Sequence, residues 1–163
     1  MSPCGFATLE IHGDLLMAES ALSIFVSILL AGMSVLVHYE SLCFLDRVLT
    51  PFGSHRKRLL VTMFGVLAAN IVEIWLYAGA YMLLERYTDL GAIMMGVSGD
   101  TTPLDTVYYS AMVYTTVGFG DMLPSGGLRI ISATEALVGL SLITWSASFT
   151  FFQMQAMFGK NRE

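Results

Sequence analysis

The chain has 163 residues, of which 55% are hydrophobic and 13% charged, with a mean hydropathy of +0.68 and a net charge of −5. A soluble domain carries about 25% charged residues, so this composition suits lipid as the solvent, and the length suits one domain. The acidic balance gives no basis for nucleic-acid binding, and Cys4 and Cys43 form neither a metal motif nor a disulfide framework.

Residues 1–20 are mixed and acidic, with Glu10, Asp14 and Glu19, and read as an N-terminal tail. No Lys or Arg precedes Met17, so a cleaved leader with a basic n-region fits poorly. Residues 21–40 read as a first transmembrane helix. Ala21 to Val37 carry no charge, and His38, Tyr39 and Glu40 follow as interfacial residues. At about 1.5 Å per residue such a run approaches the roughly 30 Å of a hydrocarbon core.

Residues 41–58 read as a polar connection with Arg47, Arg56, Lys57 and Arg58, broken at Pro51 and Gly53. Residues 59–84 are a second apolar run, long enough to cross, with Asn70, Glu73 and Tyr77 on one face. A loop follows over 85–102, carrying Glu85, Asp89 and Asp100, with Met94 and Met95 inside it. Thr102 then suits an N-cap, Pro103 the first helical position and Asp105 a capping box. The helix so started, 103–114, is too short to span and must be re-entrant, with protein around it. A turn over 123–127 and a third long apolar run, 128–158, complete the pattern, with a short tail at 159–163.

Between the short helix and the last one lies Thr115-Thr116-Val117-Gly118-Phe119-Gly120-Asp121. Gly118 and Gly120, at alternate positions, allow a backbone that residues with a Cβ resist. Successive carbonyls can then turn to one side, and a ring of such segments would replace the water around a dehydrated cation. Six of the eight Lys and Arg lie in the first connection and at the C-terminus. The short-loop rule puts these inside, so the N-terminus lies outside, the C-terminus is cytoplasmic and Asp121 opens outward.

The short helix, T-T-V-G-F-G-D and the following membrane helix resemble the pore module of the potassium channel family. The resemblance covers about residues 59–158 and is nearest to KcsA-like bacterial channels with one extra N-terminal helix. Met122-Leu123-Pro124, Arg129 and Gly139 continue it, the last as a hinge glycine. It implies an all-α membrane protein of three transmembrane helices plus a re-entrant pore helix and a selectivity-filter loop, assembled as a homotetramer in a bacterial plasma membrane. The carbonyls of Thr116, Val117, Gly118 and Phe119, with the Thr116 hydroxyl, would hold K⁺ in a row. Gly120 and Asp121 would frame the mouth, and Thr115 would pack behind the filter. Tyr108 and Tyr109 stand where many members carry a bracing Trp pair. Two positions depart from the family. Phe119 replaces the commoner Tyr, and Met112 stands where the KcsA-like channels have a Glu paired with the Asp of the motif, so two polar supports are lost.

Glu73 and Glu135 fall at similar depth, about 10 Å below the outer surface, where an ionised carboxylate is expensive. They are expected to brace the back of the pore helix, by sharing a proton or by meeting Tyr or Thr hydroxyls; separate, locally satisfied carboxyls are the plainer alternative. Gly139 suits either a hinge or a close helix contact. Ile143 and Ala147, one and two turns on, are candidates to line the inner pore. No nucleophile–base pair, metal cluster or phosphate loop appears, so neither an enzyme nor a cofactor is expected, only permeant K⁺. A K⁺-selective channel leads; a weakly selective cation pore and a non-conducting membrane subunit that regulates other channels are the rivals.

Overall fold

The computed structural model describes residues 4–49, 55–95 and 102–159. Four helices dominate: α1 (Cys4–Leu49), α2 (His55–Tyr87), α3 (Pro103–Tyr114) and α4 (Leu128–Gly159). Within α1, α2 and α4, the segments Met17–Val48, Lys57–Tyr87 and Leu128–Gln155 are each long and apolar enough to cross a membrane. The protein is therefore an all-α membrane protein, with the 12-residue α3 too short to cross. Two three-residue strands, β1 (Ile93–Met95) and β2 (Met122–Pro124), pair antiparallel with Met94 opposite Leu123.

The first helix corrects the expected tail and loop. It starts at Cys4 and runs through Glu40 and Ser41 to Leu49. Pro3 and Pro51 bracket it and no proline lies between, so nothing interrupts the backbone ladder. The connection expected over 41–58 shrinks accordingly: α2 begins at His55, and only residues 50–54 lie outside the described helices. Met94 and Met95, expected in a loop, are in β1, and the expected turn at Leu123 and Pro124 is partly β2.

Polar and small residues face inward on α1, as suits a helix whose surroundings are apolar. Ser23, Ser27, Leu30, Ser34, His38, Leu42 and Leu45 are buried at helical spacing, while Phe25, Ile28, Leu36 and Phe44 point outward. Ser23 and Ser27 donate to the carbonyls four residues back, so burial leaves neither hydroxyl unpaired. The main core gathers Leu30, Tyr77, Tyr81, Ile93, Tyr109, Met122, Leu128 and Ile131. It joins α1, α2, α3, α4 and the β ribbon just behind the Thr115–Asp121 loop.

Candidate functional site

The short helix is set by its first turn. The Thr102 hydroxyl accepts from the Asp105 amide, and the Asp105 carboxylate accepts from the Thr102 amide at 2.8 Å, a complete capping box ahead of Pro103. The Thr102 hydroxyl bond, and then its amide, hold the Asp105 carboxyl below its ordinary range. At the other end the loop is stapled to the helix. The amides of Thr115, Thr116 and Val117 donate to the carbonyls of Ala111, Val113 and Met112, at 3.1, 2.9 and 3.0 Å. Carbonyls that a helix end leaves orphaned are thus taken up by the loop that follows.

Beyond that point the backbone alternates. Thr116, Gly118 and Gly120 have φ of +59°, +51° and +80°. Glycine adopts this left-handed region freely, whereas Thr116 does so against its Cβ. No hydrogen bond to the carbonyls of Thr116, Val117, Gly118 or Phe119 occurs among the described residues. The side chains of Val117 and Phe119 project from the chain, 51% and 71% exposed.

Past the loop, β2 is tied to β1, and Ser125 Oγ accepts from the Ala92 amide at 2.8 Å. Glu85, at the end of α2, accepts from the Ile93 amide. Asp121 is exposed at the ribbon's edge and accepts from the Tyr108 hydroxyl at 2.9 Å, which pushes the phenol above its ordinary value. The two tyrosines expected to act as a pair therefore separate. Tyr109 is buried and bonds Ser132 of α4 at 2.7 Å. Met112 lines a cavity of about 430 Å³ behind the loop, together with Val113, Phe119, Met122 and Ala136.

Two carboxyls meet the back of α3, and they do not meet each other. Glu135 takes Ser110 Oγ at 2.5 Å and the Tyr81 hydroxyl at 2.6 Å. Glu73 takes the Tyr114 hydroxyl on one oxygen and His38 Nδ1 on the other, the latter at 2.8 Å. The two are separate carboxyls, each satisfied locally, and Tyr and Ser hydroxyls rather than Thr are among the partners. His38 itself is a correction. It is fully buried rather than interfacial, because α1 continues well beyond it.

Gly139 is buried against the end of α3. A Cβ there would collide with the Tyr114 carbonyl, so its small size serves a close helix contact. Ile143 and Ala147 lie on the exposed side of α4, facing away from this chain's own core. Tyr81, Ser110 and Ser132 were not singled out by the sequence, and His38 only as an interfacial residue, although each bonds within this assembly. Their one visible signal is helical spacing, as in Ser27, Ser34 and His38 along α1 and Ser132, Glu135 and Gly139 along α4.

A family model described as ion channel matches residues 70–155, which run from the middle of α2 to near the end of α4 and include α3 and the loop. No curated protein and no solved structure matches the chain. A membrane-embedded helical chain with a short capped helix, a left-handed alternating loop and this match points to transport rather than catalysis. The chain belongs to the ion channel family.

Proposed function

We propose that the chain is one subunit of a homotetrameric, passive K⁺-selective channel. The observation that carries this reading is the left-handed backbone at alternate residues 116, 118 and 120, within the T-T-V-G-F-G-D sequence. That alternation turns successive carbonyls toward one side, and the carbonyls of Thr116 to Phe119 are left without other partners among the described residues. Four such segments around an axis would surround a dehydrated K⁺ with oxygens, joined at the inner end by the Thr116 hydroxyl. Gly120 and Asp121 frame the mouth, with Asp121 adding negative charge that attracts cations.

One chain supplies one strand of this ring, so a closed symmetric assembly is required. The exposed Val117 and Phe119 side chains suit contact with neighbouring copies, and Phe119 leaves the carbonyl stack intact. Ile143 and Ala147 on the open side of α4 line the inner path. The six basic residues near the first connection and the C-terminus support an orientation with those regions in the cytoplasm and the filter mouth outside.

The test is ion flux from purified protein in liposomes under opposed K⁺ and Na⁺ gradients. The expected result is a reversal potential that tracks K⁺, with K⁺ favoured over Na⁺ by more than about tenfold and flux blocked by barium. Equal permeability would make the protein a weakly selective pore. Absence of any flux would make it a non-conducting subunit.

A further inference from the structure

Helix α1 up to Leu49 lies outside the residues matched by the ion channel family, 70–155. Yet from Ser23 to Asp46 it is built into the pore unit. Ser23 sits against Gly127, where the chain enters α4. Leu30 joins the aromatic core around Tyr77, Tyr81 and Tyr109. Further along, Leu42 and Leu45 pack on Val66 of α2. There Asp46 also accepts from the Gln153 amide of α4 at 2.8 Å, and the Gln153 carbonyl accepts from Arg58 of α2 at 2.6 Å.

The link with most consequence is in the middle. His38 is fully buried between three helices. Its Nδ1 lies 2.8 Å from Glu73 Oε1 on α2, its Nε2 lies 3.2 Å from Ser146 Oγ on α4, and its ring centroid is 5.6 Å from that of Trp145. The other Glu73 oxygen accepts from the Tyr114 hydroxyl, which also reaches Asn70 Oδ1 at 3.1 Å. Tyr114 is the last residue of α3, and its carbonyl is the group that Gly139 makes room for. Two residues on is Thr116, held at φ +59°. A non-glycine residue keeps such a conformation only where its surroundings over-determine it.

We infer that His38 is a positioning residue for the ion path: through Glu73 it fixes Tyr114 at the base of the filter, and through Ser146 it ties the inner helix to the same point. The inference rests on reading Thr115–Asp121 as the filter. Its physical basis is the rotation of a carboxyl. Glu73 presents a fixed acceptor to Tyr114 only while its second oxygen is held. A buried carboxyl oxygen stripped of its partner is costly, so without the imidazole Glu73 turns toward another donor and releases the phenol. Tyr114 is then left with its 3.1 Å bond to Asn70 Oδ1, and the backbone step into Thr116 is loosened.

The test compares the full-length wild type with His38→Phe, which keeps a ring and removes both bonds, and His38→Asn, whose amide can still donate to Glu73. Hydrogen exchange is read at the amides of residues 115–118 in detergent, and K⁺ and Na⁺ flux in liposomes. In His38→Phe, exchange at 115–118 rises by about tenfold or more and the K⁺/Na⁺ flux ratio falls by about fivefold or more; His38→Asn restores both to within about twofold of wild type. Should His38→Phe not assemble, Tyr114→Phe removes a single hydroxyl at the far end of the relay and carries the same expectation. Wild-type exchange at 115–118 in these variants overturns the inference. So does acceleration spread equally over α1, α2 and α4, which marks general destabilisation. A wild type without selective flux overturns only the channel reading, and the exchange comparison still decides the role of His38.

Discussion

Glu73 and Glu135 are both fully buried, and both grip the 12-residue α3, yet their surroundings differ in kind. Glu135 is held by hydroxyls alone. Ser110 also reaches the Ile74 carbonyl at 2.9 Å, and Tyr81 also reaches Ser132 at 3.1 Å. Each hydroxyl has one proton and two acceptors within reach, so this shell has room for a proton on Glu135 itself. Glu73 is held by a phenol and an imidazole, and the imidazole comes from α1. The middle of α3 is thus clamped by a carboxyl and hydroxyls from within the matched family segment. Its end, next to the Thr115–Asp121 loop, is clamped by a carboxyl and an imidazole, and the imidazole lies outside that segment. The two supports are separated by one turn of a single helix.

The largest expected effect tests the Glu135 half of this contrast. Glu135→Ala removes two bonds and leaves a cavity beside Ser110 and Tyr81, and should cost about 3–5 kcal/mol in unfolding experiments in detergent. Glu135→Gln should cost less than about 1 kcal/mol, since its amide can donate to Ser110 while its carbonyl accepts from Tyr81. If Gln costs as much as Ala, Glu135 works as a charge and the contrast with Glu73 collapses. The next effect concerns the contact both clamps protect. Gly139→Ala gains about 1 kcal/mol of helix propensity but drives a methyl into the Tyr114 carbonyl, for a net loss of about 1–2 kcal/mol. A more stable Gly139→Ala protein with unchanged flux would show that α3 does not depend on this approach.

How much of this was legible in the chain depends on whether one helix sufficed to reveal it. The start of α3 was readable because Thr102, Pro103 and Asp105 are local chemistry, and the capping box forms among those residues. The left-handed backbone at 118 and 120 was readable because glycines alternate there. The end of the first helix is not legible from His38 and Glu40, because a polar residue there signals water only if no partner helix is present. Buried in lipid, a polar side chain marks a partner helix equally well, and the prolines at 3 and 51 were the better boundary signal. The relay from His38 through Glu73 to Tyr114 joins residues 35 and 41 positions apart. Periodicity shows which face each residue occupies and says nothing about which faces meet. The β ribbon was invisible for a related reason: three-residue strands carry too little pattern, and the Ala92–Ser125 bonds that help close it are non-local.

The smallest expected effect lies at the exposed end of the loop, where Tyr108 bonds Asp121. Phe119 and Met112 were expected to leave the mouth with less polar support, and this bond is what the chain has in their place. It is solvated, unlike the two buried clamps, so its loss exposes its partner to water rather than stranding it. The phenol is pushed up from its ordinary value by that same bond, so it keeps its proton, and the donor, throughout the neutral range. Tyr108→Phe should therefore leave folding and the K⁺ preference nearly intact, while shifting the filter toward a non-conducting form by about two- to tenfold, the worth of one ordinary hydrogen bond. The readout is the decay of K⁺ current during sustained conduction, compared with His38→Phe. A mouth defect should speed decay without admitting Na⁺, whereas a base defect should admit Na⁺. If the two variants behave alike, the loop responds as one unit and the division between support at its mouth and support at its base has no functional meaning.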